Sequence, residues 1–246
     1  MTNLLQGDIR TGFPHIMGIL RNTIIQPVDV RAERERIIET LDVRSPRRKA
    51  ISLKITDLVY NLVHQLMAFL FLLVVSPILL IVAIAIRLDT PGPIFFRQER
   101  MGLGGQIFKI VKFRTMVSDA EKETGPVLAR VDDDRVTPIG RVLRHLRIDE
   151  IPQMWNVLTG EMALVGPRPE RPEIYDDIIM DMPEFFKRLE AKPGITGLAQ
   201  IRGGYHTDPK DKLRYDLLYI KRRSIWLDLK IIGITAYICL LRKGAC

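Results

Sequence analysis

Residues Leu66–Ile86 read LMAFLFLLVVSPILLIVAIAI, twenty-one positions without a charged side chain. A helix of that length reaches about 31 Å, the thickness of a bilayer's hydrocarbon core. A helix buried in a soluble core is rarely apolar on every face for so long, so the stretch is expected to enter a membrane. It starts too deep in the chain for a cleaved signal peptide. Ser76-Pro77 stands at its centre. Pro77 removes a backbone donor and crowds the preceding turn, which predicts a bend. Two topologies fit a bent apolar helix: a kinked span, which tolerates proline, and a re-entrant hairpin that enters and leaves on one side. Arg47, Arg48, Lys49 and Lys54 precede the stretch, and Arg87, Arg97 and Arg100 follow it. Positive charge on both flanks marks no outer end and favours re-entry.

Outward from this segment the chain reads as a folded protein with a basic surface. Its 246 residues carry 37 Lys and Arg against 29 Asp and Glu, a net charge of +8 that calls for anionic partners: nucleic acid, acidic lipid or a phosphorylated substrate. Two cysteines, Cys239 and Cys246, exclude a disulfide scaffold and a cysteine-based zinc site. The four histidines lie far apart and form no HExxH pair. Residues 1–54 form an N-terminal arm, with a charged helix expected at Val30–Leu41 and a basic linker, SPRRK, at 45–49. Residues 55–87 are assigned to the membrane helix and 88–246 to a second region that ends in an interfacial helix.

After the turn cluster DTPGP, the segments IFFRQER and QIFKIVKFRTM flank MGLGG and predict two strands joined by a glycine-rich turn. No helical pattern follows GLGG, so it is not a dinucleotide fingerprint. Thr137-Pro138 predicts a helix start, with Thr as cap and Pro in the first position, running to about Arg147. A second helix is expected from Asp149 to Gly160 with Pro152 in its first turn, and a third over Asp177–Glu190. KPGITG at 192–197 reads as a turn, 207–223 as a helix, and Ile225–Leu241 as an amphipathic run too short in its uncharged part to span, hence interfacial. The fold class expected is α/β, mostly helical with a small β-hairpin: a monotopic membrane protein with a re-entrant helix-break-helix and interfacial helices.

RIDEIPQMWN at 147–156 is the sharpest polar motif. If Asp149 caps the second helix, backbone N–H groups and the helix dipole favour its ionised form. An ionised carboxylate there is competent as a nucleophile toward phosphorus or as a ligand for Mg²⁺; the plain alternative is a structural cap. GPRP at 166–169 holds Arg168 between two prolines, a rigid mount for a phosphate contact, or a turn with a surface arginine. Lys112 and Arg114 in KFRTM lie two apart, on one face of a strand. The DDD run at 132–134 could collect a metal, or form a solvated loop.

The segments VVSPILL, GPIFFRQERMG, FKIVKFRTM, RVTPIGRVLR, IDEIPQMWNVLTGEMALVGPRPE, KPGITGLAQI and YDLLYIKRRSIWLDLKII together resemble the monotopic phosphoglycosyl transferases, or bacterial sugar transferases. They cover nearly everything from about residue 55 onward. The resemblance implies a re-entrant helix bent at Ser76-Pro77 and a catalytic region on the cytoplasmic face of the bacterial inner membrane. It implies transfer of a sugar-1-phosphate from a UDP-sugar to undecaprenyl phosphate with release of UMP, starting a polysaccharide or glycan. Asp149 matches the family's covalent nucleophile and Glu150 its partner, the pair also serving Mg²⁺. Lys112, Arg114, Arg144, Arg168 and Gln153 match substrate- and phosphate-binding positions. Membrane lipid is an implied partner, nucleic acid is not, and a homodimer is a candidate assembly. The chain departs from the family pattern at Arg147, Ala163 and Arg202. Two other classes stay open on the residues themselves. One is a membrane-anchored interaction protein that needs neither Asp149 nor Glu150. The other is a nucleic-acid binder, disfavoured because Trp155 and Trp226 sit in apolar contexts rather than in a basic stripe.

Overall fold

The computed structural model describes residues 51–118, 120, 133–203 and 208–240; the readings at Val30–Leu41 and at 45–49 lie outside them. Helix α1 runs from Ile51 to Asp89 with Pro77 inside it, so no break divides it at Ser76-Pro77, where a helix-break-helix was expected. Pro77 has no N–H to give to Leu73, its partner one turn back. The Ser76 hydroxyl takes over that acceptor, donating to the Leu73 carbonyl at 2.9 Å. A window within Asp57–Asp89 is apolar enough to cross a membrane and only 6% of it is buried.

Both ends of α1 are docked. At its N-terminal half, Ala68 joins Phe108, Val157, Leu164, Tyr219 and Ile231 in one core, with Met67 packed against it. At its C-terminal half, Ile86 joins Phe113 and Leu143, with Leu79, Val82 and Ala83 alongside. Between them, Phe69, Leu70, Leu73, Val74 and Ile78 are exposed.

The glycine-rich hairpin forms as expected. Strands β1 (Phe95–Met101) and β2 (Ile107–Phe113) pair antiparallel, with Phe95 opposite Phe113 and Met101 opposite Ile107. Helix α2 (Pro138–His145) starts at its predicted cap: the Thr137 hydroxyl accepts from the Gly140 N–H. A side chain at Gly140 would come within 2.1 Å of the Thr115 carbonyl oxygen, so glycine alone lets α2 close onto the end of the hairpin.

The second helix differs from expectation. Residues Ile148–Gln153 form a 3₁₀ turn, and the α-helix, α3, covers only Met154–Leu158. Arg147, at φ 55°, turns the chain sharply after α2, and Pro152 cannot donate the α-type bond that a regular first turn needs. Asp149 is therefore not the cap of an α-helix; the residue preceding the 3₁₀ turn is Arg147.

Downstream, β3 (Ala163–Val165) pairs in parallel with β4 (Gly194–Thr196), Ala163 opposite Gly194 and Val165 opposite Thr196. The KPGITG segment thus holds a short strand where a turn was expected. Gly194 permits it, because an added Cβ would meet the Gly166 nitrogen at 2.0 Å. Helix α4 (Pro172–Asp181) stops before Pro183, and a 3₁₀ segment, Pro183–Glu190, replaces the single helix expected to end there. Helices α5 (Leu198–Gly203), α6 (Pro209–Arg222) and α7 (Ile225–Leu240) close the described chain. Trp226 and Tyr237 of α7 are exposed, and Asp228, one of the two charges in its first half, is buried.

Candidate active site

The chemistry-bearing residues converge where β2, the 3₁₀ turn and the segment after β3 meet. The Lys112 ammonium, near the end of β2, lies 2.7 Å from Glu150 Oε1. The Arg168 guanidinium reaches the same oxygen at 2.7 Å through Nη2. One carboxylate oxygen thus receives two cations from elements far apart in sequence. Burial pushes the Glu150 carboxyl up, but Arg168 and Lys112 outweigh it and hold it well below the usual carboxylate range.

Asp149 stands beside this pair with the opposite balance. Burial pushes its pKa up, the negative charge of Glu150 adds to the push, and Lys112 and Arg144 only partly oppose it; the result is about 6. The ionised form expected from a helix cap is therefore not favoured by cap geometry here. The adjacent carboxylates are split into a permanently charged Glu150 and an Asp149 that titrates near neutrality, the pattern that separates roles in catalytic pairs.

Arg144 comes from α2, where its Nε donates to the Thr115 hydroxyl at 2.9 Å. Gln153 is 3% exposed and its Nε2 has no hydrogen-bond partner. A buried amide donor left without a partner, one 3₁₀ turn from Glu150, suits an acceptor brought in by a ligand. Arg114 goes elsewhere. Its guanidinium donates to the carbonyls of Pro91 at 2.9 Å, Thr90 at 2.6 Å and Ile86 at 3.3 Å, and to the Thr90 hydroxyl at 2.8 Å. The geometry thus gathers Lys112, Arg144, Asp149, Glu150 and Arg168, keeps Gln153 buried at the end of the same 3₁₀ turn, and ties Arg114 to the end of α1. Of the DDD run, Asp133 pairs with Arg135 at 2.6 Å.

Asn156 is a positioning residue that sequence reasoning passed over. Its Oδ1 accepts from the Val111 N–H at 3.0 Å, and its Nδ2 donates to the Lys109 carbonyl at 2.9 Å and to Glu161 at 2.8 Å. It locks α3 to β2 on either side of Ile110, next to Lys112. The signal was available: an asparagine in the interior of an apolar helical turn, MWNVL, is a poor helix former and needs a buried polar partner.

No group of three His, Cys, Asp or Glu side chains gathers among the described residues. Asp149 and Glu150 are the carboxylate donors at the site. One or two carboxylates, with the other oxygens from water and substrate phosphates, is the usual protein share of a Mg²⁺ site. The donor set fits that ion.

A family model described as "Bacterial sugar transferase" matches residues 55–242, from within α1 to beyond α7. The chain belongs to the bacterial sugar transferase family. A relative from Caulobacter vibrioides named UDP-glucose:undecaprenyl-phosphate glucose-1-phosphate transferase is 45% identical over 183 residues, 72% of this chain and 67% of that one. The Aeromonas hydrophila UDP-N-acetylgalactosamine-undecaprenyl-phosphate N-acetylgalactosaminephosphotransferase is 43% identical over 173 residues, 69% of this chain and 41% of that one. A Rhizobium leguminosarum exopolysaccharide production protein is 41% identical over 172 residues, 65% of this chain and 84% of that one. The matched part of this sugar transferase thus spans about two fifths of the Aeromonas protein and about two thirds of the Caulobacter one. Asp149, Glu150, Lys112, Arg144, Gln153 and Arg168 all fall within the family match.

Proposed function

We propose that this chain transfers a sugar-1-phosphate from a UDP-sugar to undecaprenyl phosphate, releasing UMP, through a covalent intermediate on Asp149. The observation that carries the reading is the carboxylate pair: Glu150 charge-balanced by Lys112 and Arg168, and Asp149 beside it with its pKa near 6. Asp149 is then largely ionised at neutral pH yet poorly solvated, a condition that raises nucleophilicity. An Asp149 oxygen attacks the β-phosphorus of the UDP-sugar. The bond from that phosphorus to the bridging oxygen breaks, and UMP leaves with the electron pair. A phosphate oxygen of undecaprenyl phosphate then attacks the same phosphorus, and the Asp149 carboxylate departs as the lipid-linked diphosphate forms.

Both donor and acceptor are anions, so their approach to a carboxylate is repulsive until cations offset it. Lys112, Arg144 and Arg168 supply three such charges, and the Gln153 amide supplies a neutral donor. Mg²⁺, held by Asp149 and Glu150, would add charge neutralisation for the diphosphate.

The membrane part of the proposal is re-entry. The undocked length of α1, from Phe69 to Ile78, corresponds to roughly 15 Å of helix, half a hydrocarbon core. The segments on either side pack on one body, in cores that share β2 through Phe108 and Phe113. A spanning helix would place those two ends on opposite sides of the bilayer. Entry and exit on the cytoplasmic face instead keep Asp149 at headgroup depth, where a lipid phosphate arrives.

The test is a panel of UDP-sugars offered to detergent-solubilised protein with undecaprenyl phosphate and Mg²⁺. UMP should appear with at least one donor and only with the acceptor present beyond the first turnover. A folded protein that releases no UMP from any of them would favour the interaction-protein reading.

A further inference from the structure

The segment that mounts Arg168 is pinned in an unusual way. The Gly166 N–H donates to the Thr196 carbonyl at 2.9 Å, but Pro167 and Pro169 have no N–H, so beyond Gly166 the segment cannot continue the ladder as a strand does. It is held by its carbonyls. The Gly194 N–H donates to Pro167 at 2.9 Å, and the Met101 N–H donates to Glu170 at 3.0 Å. Between them, Arg100 Nη1 donates to the Pro169 carbonyl at 3.1 Å, and Arg188 Nη2 donates to the Arg168 carbonyl at 2.9 Å. Every carbonyl from 167 to 170 is therefore occupied. The one on Arg168 itself is occupied by a side chain from the 3₁₀ segment Pro183–Glu190.

Arg188 is built for one posture. Its side chain is 1% exposed, its Nε lies 2.6 Å from Asp216 Oδ2, and Asp216 is equally buried. Nη1 reaches the Tyr175 hydroxyl at 3.3 Å, and the guanidinium lies 4.5 Å from the centre of the Phe185 ring. A buried charge pair is costly to desolvate and adds little stability over apolar packing, so its presence here asks for a positional reason. One turn earlier on α6, Lys212 pairs with Glu170 at 3.1 Å, so α6 grips the same segment a second time.

We propose that Arg188, oriented by Asp216, is a positioning residue: it fixes the backbone of Arg168 and so aims the Arg168 guanidinium at Glu150 and at the phosphate bound beside it. It touches no substrate. Its planar fork serves Asp216 and the Arg168 carbonyl at once, which a lysine cannot do. The proposal rests on the phosphoryl-transfer reading for its kinetic readout.

The experiment is a double-mutant cycle on UMP release with Arg188→Lys and Arg168→Ala. Arg188→Lys keeps the charge opposite Asp216 and loses the donor to the Arg168 carbonyl. It should fold, with a small drop in Tm, and lose roughly tenfold to a hundredfold in kcat/KM, the scale of a misplacement of about 1 Å. In the Arg168→Ala background the same change should cost less than twofold, because the group it aims is gone. Losses that multiply in the double variant, or full activity in Arg188→Lys, would overturn the proposal. Hydrogen exchange over residues 163–171 supplies a readout independent of turnover: Arg188→Lys should speed exchange there and at Met101, whose N–H is held by the Glu170 carbonyl, while leaving the rest of the β1–β2 hairpin unchanged. Wild-type protein that releases no UMP would sink the catalytic reading alone, and the exchange result would still decide whether Arg188 fixes the segment around Arg168, unchanged exchange counting against it.

Discussion

His64 and Asp228 meet at 3.0 Å, Nε2 to Oδ2, joining α1 to α7. His64 Nδ1 accepts from the Leu164 N–H at 3.0 Å, so the ring proton sits on Nε2 and is given to Asp228. Asp228 also accepts from the hydroxyls of Tyr60 and Tyr219, and Tyr219 is within 3.0 Å of the Val165 carbonyl. A single buried carboxylate thus ties α1, α6 and α7 to β3. Asp228→Leu removes the common acceptor and leaves buried donors unpaired. The expected loss is about 3 kcal/mol of stability, read as a lower thermal midpoint in detergent. Asp228→Asn, which keeps one acceptor oxygen, should lose less. Equal stability of Asp228→Leu and wild type would show that the network does not hold α1.

Arg114 and Lys112 should separate by phenotype. Arg114→Ala takes the partner from the Thr90 carbonyl, while the Ile86 carbonyl keeps the Thr90 N–H and the Pro91 carbonyl the Ser118 hydroxyl; it is expected to cost about 1–3 kcal/mol, while activity well below the unfolding temperature stays within a few-fold of wild type. Lys112→Ala should leave the thermal midpoint nearly unchanged and lower kcat by at least tenfold. Paired measurements of Tm and UMP release decide it: a stable, inactive Arg114→Ala would return that arginine to the phosphate site.

These two residues also show how far the sequence could be read. Alternation correctly predicts the hairpin, because a period of two and a glycine-rich turn are local signals. It places Lys112 and Arg114 on one face, but β2 ends at Phe113, and beyond a strand's last residue alternation carries no information. The Thr137-Pro138 start was legible for the same local reason. The 3₁₀ turn at Ile148–Gln153 was not, since it depends on Arg147 adopting a left-handed conformation that sequence does not announce for arginine. The β3–β4 pairing was hidden in a segment that reads as a turn, because three-residue parallel strands rest on contacts across 31 positions rather than on propensity. At the site, the residue types were readable from motifs. What was not readable was the inversion of Asp149, because burial is a property of the assembled fold.

Re-entry makes a topological prediction. A cysteine at position 50, on a background lacking Cys239 and Cys246, should resist a membrane-impermeant maleimide in intact cells and react after permeabilisation. Pro77→Ala supplies the N–H that Pro77 lacks and should move a fraction of molecules to the spanning form, detected as new labelling. Labelling of position 50 from outside in the otherwise wild-type chain would rule out re-entry.

Glu150→Gln tests the electrostatic coupling inside the pair. Removing the neighbouring negative charge takes away one of the two influences that raise Asp149 and leaves Lys112 and Arg144 opposing burial alone. The acid limb of the kcat profile should therefore shift to lower pH than in wild type, even as kcat itself falls by at least tenfold through loss of the charge that orders Lys112 and Arg168. An unshifted limb would mean that Glu150 does not set the Asp149 proton affinity.

Asp149 should carry the sugar phosphate. Its carboxyl must be ionised to attack, so wild-type kcat should fall as pH drops through about 6. The same shift has a consequence for stability. The folded chain binds the Asp149 proton more tightly than the unfolded chain, so this group favours folding at low pH and that contribution is lost as pH rises through about 6. Asp149→Asn removes the cost of the buried charge and should be more stable than wild type above pH 7, by up to about 3 kcal/mol at about 1.4 kcal/mol per pKa unit over the rise from 3.8 to about 6, while losing turnover. With wild type, a UDP-sugar donor and no lipid acceptor, UMP should appear in a burst of no more than one equivalent per enzyme, and the intact protein should gain the mass of one sugar phosphate. Asp149→Asn should give neither. Enzyme that turns over normally with acceptor but shows no burst and no adduct without it would point to direct transfer between the two bound substrates, with Asp149 holding the ion or a proton instead of the phosphorus.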